Sequence, residues 1–182
     1  MQVKLKKTVV LVGMMGAGKT AVGKALAERL NAPFLDSDAE IARAANMSIA
    51  EIFARDGEPF FRRKETQVIE RLLKEEIGVL STGGGAFLSQ TNRDIISQNG
   101  VAVCLDADLS LLWQRVRHKD SRPLLRTSNP RETLKEIFEA RVPIYALAQL
   151  SVRALPSYSI EEMAERVETA LLTRPDVLEQ MT

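Results

Sequence analysis

The stretch "VVLVGMMGAGKT", Val9 to Thr20, runs an apolar segment straight into a glycine-rich loop that closes on a lysine and a hydroxyl. Thr8–Val12 is β-branched and almost wholly apolar, the pattern of a strand buried on both faces. Thr20–Leu30 then places Val22, Ala25, Leu26 and Leu30 at helical spacing. Between them, Gly13-Met14-Met15-Gly16-Ala17-Gly18-Lys19-Thr20 fits the phosphate-loop pattern of glycine, four residues, glycine, lysine and Ser/Thr. Glycines let backbone N–H groups curl around phosphate oxygens, and the following helix aims its positive end at them. Lys19 is then expected to reach the β- and γ-phosphates, and Thr20 to put its hydroxyl on Mg²⁺. A strand–helix turn that binds nothing needs none of these residues, so the loop reads as the holder of a nucleoside triphosphate.

Outward from the loop, strand and helix patterns alternate. "APFLDSD" is a short strand ending in acid. Ala39–Ala45, Ile49–Arg55 and Pro59–Glu76 read as helices, the second with Ser48 as N-cap and Glu51 at its capping-box position. "GVLSTGGG" is a strand and a glycine turn; Gln90–Gln98 is helical, "VAVCLD" a strand, and Asp108–Val116 a helix. "RHKDSRPLLRTSNP", residues 117–130, breaks the rhythm, being polar and basic with two prolines and no apolar period. Arg131–Gln149 returns to helix, "LSVRAL" is a last strand and Ser159–Thr173 a last helix, and the tail "RPDVLEQMT", residues 174–182, is expected to fray. This alternation argues a three-layer α/β fold with a parallel sheet, whose ligands gather at the carboxyl ends of the strands.

Composition excludes several classes. The 182 residues suit one domain with a proper core, at 45% apolar and 27% charged. The formal net charge of +1 calls for neither nucleic acid nor a membrane surface. Aromatic residues at 5% and the lack of a basic stripe also speak against a nucleic-acid partner. Cys104, the single cysteine, sits in an apolar run and reads as a core thiol in a reducing compartment. "KLKK" before "TVVLVG" mimics a secretory signal, but the apolar run is short and breaks into the glycine loop. With no stretch long enough to span a bilayer, a cytoplasmic protein is expected.

Phosphoryl transfer needs a metal partner, a group for the attacking oxygen, and cations for the developing charge. Asp36 and Asp38 end the second strand, where period-2 placement would turn both to one side. Asp38 before "AEIARA" also suits a helix N-cap. "GEPFFRRKE" carries Arg62 on a helix beside Phe53, Phe60 and Phe61, so that a guanidinium stands at the edge of an apolar wall. Gly83, Gly84 and Gly85 allow either a tight turn or close backbone approach to a ligand. Arg122 lies in the irregular segment, and Arg141 precedes Pro143 in "ARVPIY". His118, the sole histidine, reads as a solvated residue because no orienting partner is near it in sequence.

Taken together, "GMMGAGKT", "DSD", "GEPFFRRKE", "STGGG", "RPLL" and "RVPIY", in that order from Val9 to Tyr145, resemble the shikimate kinases. The resemblance implies ATP-dependent phosphorylation of the 3-hydroxyl of shikimate, a step of aromatic amino-acid synthesis. It also implies a monomeric three-layer P-loop kinase fold like that of the nucleoside monophosphate kinases. That fold has a five-stranded parallel sheet ordered 2-3-1-4-5, a substrate-binding subdomain at about residues 36–65 and a flexible lid at about 117–130, all within one domain of residues 1–173.

By the same resemblance Gly16, Ala17, Gly18, Lys19, Thr20 and Ala21 bind ATP, with Arg122 approaching the phosphates from the lid. Lys19, Asp38 and Arg122 are the implied catalytic residues; Asp38 contacts the reacting hydroxyl, as a base or as an orienting group. Thr20 and, through water, Asp36 are implied for Mg²⁺. Arg62 and Arg141 grip the substrate carboxylate, Gly83, Gly84 and Gly85 lie beside the ring, and Phe53, Phe61 and Glu65 line or brace the pocket. Ser81 stands where many phosphate-loop enzymes have an acid. "VRALPSYS" departs from the family's Asn-Arg-x-x-Pro-like adenine loop, leaving the adenine contacts, Arg115 and Arg117 unassigned. Two rivals share the residues: a kinase of the same fold for gluconate or a nucleoside monophosphate, and a non-catalytic nucleotide-binding module. The second would be marked by missing acids or a missing lid arginine, and this chain carries Asp36, Asp38 and Arg122.

Overall fold

The computed structural model describes residues 2–118 and 123–182. The chain enters as β1 (Val3–Leu5) and, past two lysines, continues as β2 (Thr8–Val12), whose five residues are all buried. The phosphate loop leads into α1 (Lys19–Arg29). Then come β3 (Phe34–Asp36), α2 (Ser37–Ala45), α3 (Ile49–Asp56), α4 (Glu58–Glu75) and β4 (Val79–Ser81). A 3₁₀ turn at Ala86–Leu88 precedes α5 (Gln90–Asn99), β5 (Gly100–Asp106) and α6 (Leu109–Val116). A second 3₁₀ turn, Pro123–Leu125, precedes α7 (Pro130–Tyr145), β6 (Leu150–Arg153), α8 (Ile160–Leu171) and β7 (Leu178–Gln180).

Strands β3-β4-β2-β5-β6 form one parallel sheet in that spatial order. Counted among themselves in chain order they read 2-3-1-4-5, as expected. β2 is the middle strand, and connections leave it toward opposite edges. That switch point opens a crevice at the strands' carboxyl ends. The phosphate loop fills one side of it and the acid after β3 the other. Helix α1 packs along α8, while α4 packs on α2, α3 and α5. The core runs through β2, β4 and β5, where Val9, Leu11, Leu80 and Val103 are fully buried, and Cys104 is buried among them.

Several elements differ from the sequence reading. The strand carrying the two acids stops at Asp36, and α2 begins at Ser37 rather than Ala39. Asp36, not Asp38, is its N-cap: the Oδ1 of Asp36 accepts the backbone N–H of Ala39 at 3.1 Å. The acids are therefore a cap and a first-turn residue, not successive same-side positions of a strand. Helix α7 ends at Tyr145 rather than Gln149. Leu147 and Ala148 donate to the carbonyls three residues back, which tightens the chain out of the helix.

The tail expected to fray instead forms β7, antiparallel to β1 with Leu5 opposite Leu178 and Val3 opposite Gln180. Lys6 N–H donates to the Val177 carbonyl at 2.7 Å, and Met181 N–H to that of Gln2 at 2.8 Å. Val177 and Leu178 are fully buried, and their burial outweighs the propensity of a short polar tail. Among the described residues no helix is long and apolar enough to cross a membrane.

Candidate functional site

Two clefts meet at the phosphate loop. The first, of about 530 Å³, is lined by Gly16, Ala17, Gly18, Lys19, Thr20 and Ala21 together, as the loop pattern requires. Gly18 caps α1 in the left-handed region at φ 95°, a conformation that a residue with a Cβ holds poorly. The Lys19 ammonium lies over the loop, donating to the carbonyls of Gly13 at 2.5 Å and Met14 at 3.3 Å. Arg115, unassigned from the sequence, reaches across from α6 and donates from Nη1 to the Gly16 carbonyl at 3.0 Å. It braces the loop from α6.

The other end of this cleft is walled by Tyr158, Ser159, Ile160 and Met163, at the start of α8. Tyr158 and Ser159 close the segment that departs from the family's adenine loop, and Ile160 and Met163 follow it, so sequence reasoning missed them. A helix-start signal was legible there: Ser159 and Glu162 form a reciprocal capping box. Nothing in that signal says which cleft the helix end faces. The Tyr158 ring is backed by the Arg166 guanidinium, 4.0 Å from its centroid.

The second cleft, of about 290 Å³, shares Met15 with the first. Asp38, Phe53, Phe61, Arg62, Glu65, Gly83, Gly84, Gly85 and Arg141 all line it, so four separated parts of the chain converge as expected. Phe53 and Phe61 form its apolar wall, their ring centroids 4.8 Å apart. Arg62 lies 5.2 Å over the Phe61 ring and donates from Nη1 to Glu65 Oε1 at 2.9 Å. Glu65 is 1% exposed, with Oε2 lacking a hydrogen-bond partner. Burial pushes its pKa up against the opposing charge of Arg62. Ile49 and Leu124 complete the lining and carried no signal in the sequence beyond apolarity.

The Asp38 carboxylate lines the second cleft and feels the charge of Lys19 on the loop. Burial and then the charge of Asp36 raise its pKa, while Arg62 and Lys19 pull it down. Its Oδ1 is buried without a partner. A half-buried carboxylate so placed is suited to accept a proton or a hydroxyl donor. From α7, Arg141 donates to the Gly84 carbonyl at 3.3 Å, and Tyr145, another residue the sequence reading did not single out, donates to the same carbonyl at 2.5 Å.

Thr20 and Asp36 line a side cleft continuous with the loop's helix. Among the described residues no group of three or more His, Cys, Asp or Glu gathers as a metal cage. A single hydroxyl and a carboxylate beside a phosphate loop match Mg²⁺, which keeps most of its waters and takes few protein ligands. His118 is exposed. Arg122, and with it the centre of the expected lid, lies outside the described residues.

The comparisons point one way. The family model described as shikimate kinase matches residues 15–172. A shikimate kinase of Cereibacter sphaeroides is 66% identical over 176 residues, covering 97% of this chain and 88% of its own. One of Ruegeria pomeroyi is 66% identical over 175 residues, covering 96% and 90%. The solved structure of a shikimate kinase from Acinetobacter baumannii in complex with shikimate superposes with a TM-score of 0.85 at 38% identity, over 92% of this chain and 93% of that one. Such similarity runs far beyond a phosphate loop that many nucleotide-binding proteins share, and on it the chain belongs to the shikimate kinase family.

Proposed function

We propose that this chain transfers the γ-phosphoryl group of ATP to the 3-hydroxyl of shikimate, releasing ADP and shikimate 3-phosphate. The observation that carries the reading is the Asp38 carboxylate in the second cleft, within the fields of both Lys19 on the phosphate loop and Arg62. The loop's N–H groups and Lys19 hold the phosphates. Arg62 and Arg141 hold the carboxylate of shikimate, which turns a hydroxyl toward the γ-phosphorus. The hydroxyl oxygen forms the new bond to phosphorus as the bond to the β–γ bridging oxygen breaks, and its proton passes to Asp38. Lys19 and Arg122 supply positive charge where the equatorial oxygens gain negative charge.

Mg²⁺ would be held by the Thr20 hydroxyl and, through water, by Asp36, and would neutralise charge on the phosphates. The reading is completed by a monomer acting in the cytoplasm. The test is ADP formation with ATP and Mg²⁺ in the presence of shikimate, gluconate or a nucleoside monophosphate, against no acceptor. ADP release is expected with shikimate alone. A rate unchanged by shikimate overturns the reading.

A further inference from the structure

At the carbonyl of Gly84, α7 grips the triglycine turn by hydrogen bonds from two side chains. Tyr145 donates its hydroxyl at 2.5 Å, and Arg141, one helical turn earlier on the same face, donates Nη1 at 3.3 Å. A carbonyl oxygen has two lone pairs and can accept both. The two bonds are not equal, since 3.3 Å is long for N–H···O and 2.5 Å short for O–H···O. Tyr145 is 3% exposed, so its ring is locked in the core while Arg141 stands half-buried at the cleft.

We infer that Tyr145 is a positioning residue for substrate binding: it keeps the Gly84 carbonyl paired so that Arg141 is free to turn its guanidinium onto the substrate carboxylate. This rests on the proposed shikimate kinase activity. Without the phenolic hydroxyl, the carbonyl would lose its partner whenever Arg141 left it. A half-buried carbonyl left unpaired in the cleft has a cost, so Arg141 would be retained on the backbone more of the time instead of on the ligand. The same hydroxyl anchors the middle of the turn whose flanking glycines lie against Asp38 and Arg62. Burial pushes the phenol pKa up, which keeps the hydroxyl a donor, although the nearby Arg141 charge opposes the shift.

The experiment compares wild type, Tyr145→Phe, Arg141→Lys and the double variant, with KM for shikimate and ATP, kcat and Tm measured for each. Tyr145→Phe is expected to raise the shikimate KM about tenfold, with kcat and the ATP KM within about twofold of wild type. In the Arg141→Lys background the same change should add less than about twofold, because there is no fork left to release. An equal effect in both backgrounds, a parallel rise in the ATP KM, or a Tyr145→Phe chain that fails to fold would make the tyrosine merely structural and overturn the inference. Shikimate-dependent turnover in the wild type with an unchanged KM in Tyr145→Phe sinks this inference alone. No shikimate-dependent turnover in the wild type sinks the functional reading and this inference with it.

Discussion

The carboxylate of Asp38 lies so close to the backbone of Gly83 that a Cβ at residue 83 would stand 2.7 Å from both of its oxygens. Two residues on, a Cβ at Gly85 would stand 2.5 Å from Nη2 of Arg62. The triglycine turn is thus a surface against which an acid and a guanidinium are placed, and the absence of side chains is what lets them reach it.

Gly83→Ala and Gly85→Ala should therefore fail differently. Neither position has a left-handed φ, so the backbone tolerates alanine and the displaced side chain takes the strain. Gly83→Ala should push Asp38 aside and lower kcat by about 10²-fold or more, a misplacement cost of the size expected near a reacting atom. Gly85→Ala should displace Arg62 and raise the shikimate KM about tenfold with kcat largely kept. Steady-state kinetics on both variants separates the outcomes; a matching loss of kcat in both would mean the turn acts as one unit.

Arg62→Lys and Arg141→Lys should each raise the shikimate KM about 10- to 100-fold, with little effect on ATP. Lysine keeps the charge but loses the planar fork that matches a carboxylate. A fall in ATP affinity instead would assign these arginines to the nucleotide cleft.

The pH dependence follows from the raised pKa of Asp38. Below that pKa the carboxyl is protonated and cannot accept a proton, so kcat should fall on an acid limb lying above the ordinary carboxylate range near ~4. Asp38→Asn should remove the limb and cost about 10²–10⁴ in kcat; a loss of tenfold or less would leave Asp38 an orienting group only. Asp36→Asn keeps an acceptor for the cap on Ala39 but deletes a charge that raises the Asp38 pKa, so the limb should move to lower pH. It should also raise the Mg²⁺ requirement.

Stability should move the opposite way from activity. A carboxyl whose pKa is higher folded than unfolded binds more protons in the native state, so its ionisation costs stability as pH rises between the two values. That cost is fully present once the pH has passed the raised folded-state pKa. Asp38→Asn should accordingly show a higher Tm than wild type at pH 7, with the difference shrinking toward acid. A lower Tm at pH 7 would show that the carboxylate is held by contacts that outweigh its burial.

Removing residues 176–182 should cost about 3–6 kcal/mol, from Val177 and Leu178 at about 1.5–3 kcal/mol each. The exposed pairs Lys6–Glu179 and Lys7–Asp176 add little. Thermal melts should fall while kcat at low temperature stays near wild type, because no part of the tail lines either cleft. An unchanged Tm would mean the strand pair is not coupled to the core.

The phosphate loop and the alternation of strand and helix were legible in the chain itself. Each is a local matter: glycine spacing, apolar period and a lysine followed by a hydroxyl act within one turn of backbone. Even Ser48 as a cap could be read that way, and it does accept the N–H of Glu51. What tertiary structure decided were relationships across long separations. Val3–Leu5 and Leu178–Gln180 carry too little apolar period to announce themselves, and become strands because each finds the other beside the core. Asp36 took the cap from Asp38 because the cap falls to whichever acid faces the free N–H groups where β3 stops. Arg115 against Gly16 and Tyr145 under Gly84 come from α6 and α7, and Tyr158 at the end of the nucleotide cleft from the turn before α8. A side chain's type shows what it can donate or accept, but only the packing of distant elements shows to whom.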